Sequence, residues 1–137
     1  MPLDTKSSGP NAGRDLPVVW AVPEALQQLV ECGDTELVDE LIAIFQSDTA
    51  ERLQALGGAV ASGDYAEVRA QAHTVKGSAM QVGANRVGEI CRQMEIEAKK
   101  SPPLELDWLL NRLRKSFAEA CAAMAARTGS TGKPPAL

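Results

Sequence analysis

The chain has 137 residues and a formal net charge of −4, with 45% hydrophobic and only 4% aromatic residues. That is room for one domain with an aliphatic core, and an acidic chain without a basic block is a poor partner for nucleic acid. Abundant alanine and leucine, without long β-branched runs, predict an all-α domain.

The first 19 residues carry Ser, Gly, Pro, Asn and Asp with few apolar anchors and read as a flexible N-terminal arm. A helical domain is expected over residues 20–127, and the Gly- and Pro-rich residues 128–137 read as a flexible tail. A short first helix is predicted from Pro23, whose fixed φ suits a first helical position, through Leu26, Leu29 and Val30 to Cys32-Gly33. Asp34 then caps a long helix with Leu37, Val38, Leu41, Ile42, Phe45, Leu53, Leu56 and Val60 on its buried face, ended by Ser62-Gly63.

Asp64 is the next N-cap, and Glu67 three residues on completes a capping-box-like pair. The helix that follows buries Tyr65, Val68, Ala72, Val75, Ala79 and Val82 and ends at Gly83, a natural left-handed terminator. Another helix runs from Asn85, with Val87, Ile90, Cys91, Met94 and Ala98 inside, to Lys99-Lys100 and the stop Pro102-Pro103. The last, from about Glu105 to Arg127, buries Leu106, Leu109, Leu110, Leu113, Phe117, Cys121 and Met124. Four amphipathic helices with short connections predict an antiparallel up-down-up-down four-helix bundle with a short extra N-terminal helix.

No apolar run approaches the roughly 18–20 residues of a membrane span. Met1-Pro2-Leu3-Asp4 also lacks the basic and apolar regions of a secretory signal. The expectation is a soluble, cytoplasmic chain without direct membrane contact. Cys32, Cys91 and Cys121 show no CxxC spacing and are expected as reduced thiols, packed as small core hydrophobes.

Chemistry concentrates around the single histidine, His73. It lies about 100° round the helix from Ala72, at the edge of the buried stripe. A lone histidine there is most often an ordinary surface residue. Gly77, however, sits mid-helix at a cost of about 1 kcal/mol against Ala. Helical side chains tilt toward the N-terminus, so residue 77 would lean over the ring, and its missing side chain clears one face for another protein. Lys76, three residues on, can accompany an anionic group held on the ring, and Ser78 adds a hydroxyl nearby. His73 and Glu95 stand eleven residues before and after Ala84, so an antiparallel hairpin brings them to one height. A Glu95 carboxylate bonded to Nδ1–H would leave the Nε2 lone pair free and stabilise the positive charge that develops when Nε2 attacks.

His73-Thr74-Val75-Lys76-Gly77, then Val82-Gly83-Ala84, then Glu95, resemble the histidine-containing phosphotransfer (HPt) family, and the helical pattern supports the match over residues 34–126. Val75 stands where Leu is commoner. The resemblance implies a four-helix bundle, His73 as the phosphoryl carrier through Nε2, and Lys76, Gly77 and Glu95 in the family's matching positions. It implies a phosphorelay role in two-component signalling, in which His73 takes a phosphoryl group from a receiver-domain aspartate and passes it to another receiver. Receiver domains of response regulators are the implied partners, with a hybrid sensor histidine kinase as a second candidate. Arg69, Met80, Gln81 and Leu26 are the candidate docking residues.

No P-loop or kinase-type Gly-rich motif is present, so the chain is expected to be a carrier rather than an ATP-dependent kinase, with no cofactor of its own. A metal site on His73 and Glu95 lacks a third ligand. The dimerised phosphoacceptor region of a kinase would need two long helices pairing between chains, whereas four helices complete a bundle here, which favours a monomer. The remaining alternative is a non-catalytic helical adaptor that binds a signalling partner, for which His73→Gln would be silent.

Overall fold

The computed structural model describes residues 18–128, with side chains as far as residue 126. Among them are five helices and no strand: α1 (Glu24–Glu31), α2 (Thr35–Ser62), α3 (Tyr65–Val82), α4 (Asn85–Glu97) and α5 (Leu106–Thr128). Helix α3 packs between α2 and α4, α5 closes the ring against α4 and α2, and α1 lies on α2. This is an antiparallel four-helix bundle with a short extra N-terminal helix.

Local chemistry sets the ends of these helices. Asp34 accepts from the Leu37 amide at 3.4 Å and Asp64 from the Glu67 amide at 3.2 Å. Only this half of the expected capping box forms, because the Asp64 amide donates to the Ala59 carbonyl at 2.9 Å, and the Glu67 carboxylate accepts from Gln71 Nε2 at 2.8 Å instead. Helices α2 and α3 stop at Gly63 and Gly83, whose φ of 75° and 85° are left-handed. Pro23 stands one place earlier than expected, as the extended residue capping α1.

The core is aliphatic, as the composition requires, with Phe45 and Phe117 meeting edge-on at 6.0 Å between ring centroids. Nearly every expected core position of α3, α4 and α5 is buried. The exceptions are instructive. Leu37, Leu41 and Tyr65 are exposed. Leu37 and Leu41 each lie one step of about 100° from the true buried line through Val38, Ile42 and Phe45, and Thr49 continues that line in full burial. Cys32 is exposed at the end of α1, whereas Cys91 and Cys121 are buried. Burial pushes both buried thiols up to about 12, so they remain protonated and act as core hydrophobes.

The expected N-terminal arm and C-terminal tail lie outside the described residues, apart from their innermost positions. There Val19 packs against the core beside Trp20, and α5 reaches Thr128. Trp20 Nε1 donates to the Val82 carbonyl at 2.8 Å, and the Ala21 amide donates to the Gly83 carbonyl at 3.0 Å. These bonds strap the entering chain onto the α3–α4 turn. A Cβ on Gly83 would run into the Ala21 carbonyl oxygen, so glycine is required there by space as well as by φ.

Candidate functional site

The α3–α4 hairpin carries the site. Val68, Ala72, Val75 and Ala79 are wholly buried and fix the rotation of α3. His73, one step round from Ala72, turns outward with 70% of its side chain exposed. On α4, Val87, Ile90, Cys91 and Met94 are wholly buried, which brings Glu95 to the margin facing α3.

Glu95 Oε2 lies 3.1 Å from His73 Nδ1. A carboxylate only accepts, so the bond requires the proton on Nδ1 and leaves Nε2 with its lone pair. The other carboxylate oxygen, Oε1, lies 2.7 Å from Lys76 Nζ. Burial pushes the Glu95 carboxyl up, but Lys76 and His73 beside it outweigh burial and hold it below its ordinary value. The result is an anion under one side of an exposed imidazole, with an ammonium on its other oxygen.

The remaining candidates divide. A Cβ on Gly77 would meet nothing within 4 Å, so no packing among the described residues demands glycine there, and the space beside the ring is open. Ser78 Oγ donates to the Thr74 carbonyl at 3.0 Å, committing its proton to the helix backbone rather than to a group on the ring. Lys76, expected beside that group, is on Glu95 instead. Arg69 is half-buried, while Met80 and Gln81 are exposed. Leu26 is buried, so it offers no docking surface: α1 uses that side chain to hold itself to the bundle.

Three features escaped the sequence reading. Met80 lies over Gly88 of α4, where a Cβ would stand 2.9 Å from the Met80 methyl; a small residue opposite a long one was the available signal. Arg52 on α2 is bonded to Asp48 at 2.8 Å and to Gln71 of α3 at 3.2 Å, so this stripe of α2 faces α3. Leu41 and Ile44 lie seven and four residues before Asp48 on α2 and are exposed. Ile44, apolar yet off the buried line, was the clue.

Among the described residues, no three His, Cys, Asp or Glu side chains gather to hold a metal, and no helix is long and apolar enough to cross a membrane. What the site offers chemically is a nucleophile: an accessible imidazole nitrogen backed by a carboxylate.

No curated protein matches the chain. Among solved structures, it is similar to the crystal structure of histidine-containing phosphotransfer protein B (HptB) from Pseudomonas aeruginosa PAO1. The identity is 21% and the TM-score 0.69, over 79% of this chain and 94% of that one, a likeness of fold. A model of the Hpt domain matches residues 40–127, well over half of the chain. That span takes in nearly all of α2, the whole α3–α4 hairpin and α5, and by it the chain belongs to the Hpt domain family, the histidine phosphotransfer carriers of two-component phosphorelays.

Proposed function

We propose that His73 is the phosphoryl carrier of this domain. The observation that carries the reading is the pairing of Glu95 with Nδ1 on a ring that is otherwise exposed. With the proton held on Nδ1, Nε2 attacks the phosphorus of a receiver's phosphoaspartate. The Nε2–P bond forms, the P–O bond to the aspartyl group breaks, and the carboxylate leaves with its electron pair. The ring keeps its Nδ1 proton and becomes a cation, which Glu95 stabilises. Transfer to a second receiver is the same step reversed.

Gly77 gives the receiver access to Nε2. Met80, Gln81 and Arg69 border the ring on α3, and Leu41 and Ile44 extend the border along α2, a modest apolar surface with a polar rim that suits a transient complex. The chain acts as a monomeric carrier on the cytoplasmic side and takes its phosphoryl group from a receiver domain.

The test is label transfer from a phosphorylated receiver to the purified chain, with His73→Gln as control. Acid-labile, base-stable label on the wild type alone supports the carrier reading. A folded wild-type chain that accepts no label from a panel of receivers points to a non-catalytic adaptor.

A further inference from the structure

We infer that the outer face of α5 is a second docking surface, turned away from His73, and that it takes an acidic protein segment carrying an apolar side chain.

The starting point is a set of cations without partners. Arg52, Lys76, Arg86, Arg92 and Lys100 each pair with a carboxylate. Arg112, Arg114 and Lys115, three cations within four residues of α5, have no such partner among the described residues. In a chain of formal net charge −4, this is a local concentration of uncompensated positive charge.

Two of the three are held by packing instead. The Arg112 guanidinium lies over the Trp108 ring, 4.9 Å from its centroid. The Arg114 guanidinium rests on Gly57 of α2, where a Cβ would stand 2.6 Å from Nη2. Glycine is disfavoured against alanine inside a helix, and what the missing side chain of Gly57 provides is the seat for Arg114. Each guanidinium is thereby positioned with N–H donors left for a carboxylate from outside. Residues 112 and 114 are about 200° apart round the helix, so the two stand on opposite flanks of α5, with Lys115 exposed between them.

An apolar anchor site adjoins the cations. One turn before Arg112, Trp108 walls a groove of about 690 Å³ between α4 and α5, lined also by Ile96 and Leu104. All three side chains are exposed. An aromatic cleft beside fixed guanidinia has the make-up of an interface centre with a charged rim.

Charge complementarity selects the occupant. Two or three carboxylates on one short segment meet Arg112, Arg114 and Lys115, while an apolar side chain of that segment enters the groove at Trp108. Three cations are too few to hold a nucleic acid against a net negative charge. A flat anionic membrane would also press on Glu105 and Asp107, exposed at the start of α5, whereas a narrow segment laid over the middle of the helix leaves them uncovered. Because α5 contacts α2 and α4 across the ring from α3, such a partner leaves the imidazole free. The domain can then be held on a scaffold while a receiver works at His73.

The test titrates two helical peptides into nitrogen-15-labelled chain. They are matched in length and leucine content, one with glutamate and the other with lysine at the charged positions. The Glu peptide is expected to shift the Trp108 indole signal and the amides of residues 112–115 while those around His73 stay in place. It is expected to bind at least about tenfold more tightly than the Lys peptide, with an affinity that falls as salt is added. Arg112→Gln combined with Arg114→Gln should remove that preference, and Trp108→Ala should weaken the Glu peptide about tenfold without loss of helical content. Loading of His73 by phosphoramidate is expected to run at the same rate with the Glu peptide bound. Equal binding of the two peptides overturns the proposal, as does a Glu peptide that shifts the α3–α4 hairpin instead of α5. Shifts of the α5 signals by phosphatidylglycerol vesicles but not by the Glu peptide overturn it in favour of a membrane surface. The titration does not depend on His73, so its failure leaves the carrier reading intact.

Discussion

Glu95 reaches His73 across the α3–α4 hairpin, 22 residues along the chain, with its Oε2 3.1 Å from Nδ1. A charge-assisted bond of this kind contributes about 1.5–3 kcal/mol. If most of that is realised only as the ring gains charge, Glu95→Ala slows phosphoryl transfer about 10- to 100-fold. Glu95→Gln keeps an acceptor for Nδ1–H and loses less. Single-turnover rates from a phosphorylated receiver check the order wild type, Gln, Ala; equal rates for all three would remove Glu95 from the mechanism.

Gly77 separates stability from function. Nothing lies within 4 Å of a Cβ there, so Gly77→Ala gains the helix propensity of alanine, up to about 1 kcal/mol. A rise in melting temperature of about 4 °C follows for a domain this size. Gly77→Leu, which sets a bulky side chain beside the ring, is expected to fold yet lose transfer from a receiver. A thermal melt and a transfer assay on the same preparations check both halves.

Gly83 gives the opposite pattern. Its positive φ and the Ala21 carbonyl oxygen, which occupies the space a Cβ would need, leave alanine no room. Gly83→Ala is expected to cost more than about 1 kcal/mol. It should also release Trp20 from the Val82 carbonyl, visible as a red shift in indole emission. Unchanged emission and stability would mean the strap contributes nothing.

The docking border is tested at Ile44, exposed on α2, a different helix from the one that carries His73. Ile44→Glu is expected to weaken receiver binding about tenfold, while loading by phosphoramidate stays at the wild-type rate. Titration calorimetry with a cognate receiver measures the first and phosphohistidine formation the second.

Acid should loosen the α4–α5 connection. Glu97 accepts from Lys100 Nζ at 3.0 Å and from the Glu105 amide at 3.0 Å, and these partners, Lys100 foremost, hold its carboxyl below the ordinary 4.5. The unfolded chain therefore binds the proton more readily. The contribution is complete above the unfolded value and is lost as pH falls through the lower folded one. Stability of Glu97→Gln should consequently fall less between neutral pH and pH 3 than that of wild type, as read by urea midpoints.

Much of this was legible beforehand because helices count evenly. Equal steps either side of Ala84 place His73 and Glu95 at one height, and the structure brings them into contact. Periodicity was less able to rank neighbouring apolar residues. Leu37 and Leu41 fit the same spacing as Val38 and Ile42, and only the position of α3 decides which pair is covered. Thr49 carries a hydroxyl that keeps it out of any apolar pattern, though its shape fills a core position. Leu26 failed the other way, since a short helix must spend its best apolar side chain on attachment. Lys76 and Ser78 show a further limit: spacing says what a side chain can reach, and competing partners decide what it holds.

The bond from Trp20 to Val82 also fixes where the chain enters the bundle. Val82 lies nine residues beyond His73 on α3, about 14 Å along the helix axis. The described chain thus starts beside the C-terminal end of the same helix that carries the imidazole. A group attached at Val18 would leave at that end of the bundle, the end toward which antiparallel α5 also runs, so both ends of the described fold exit on one side of the imidazole.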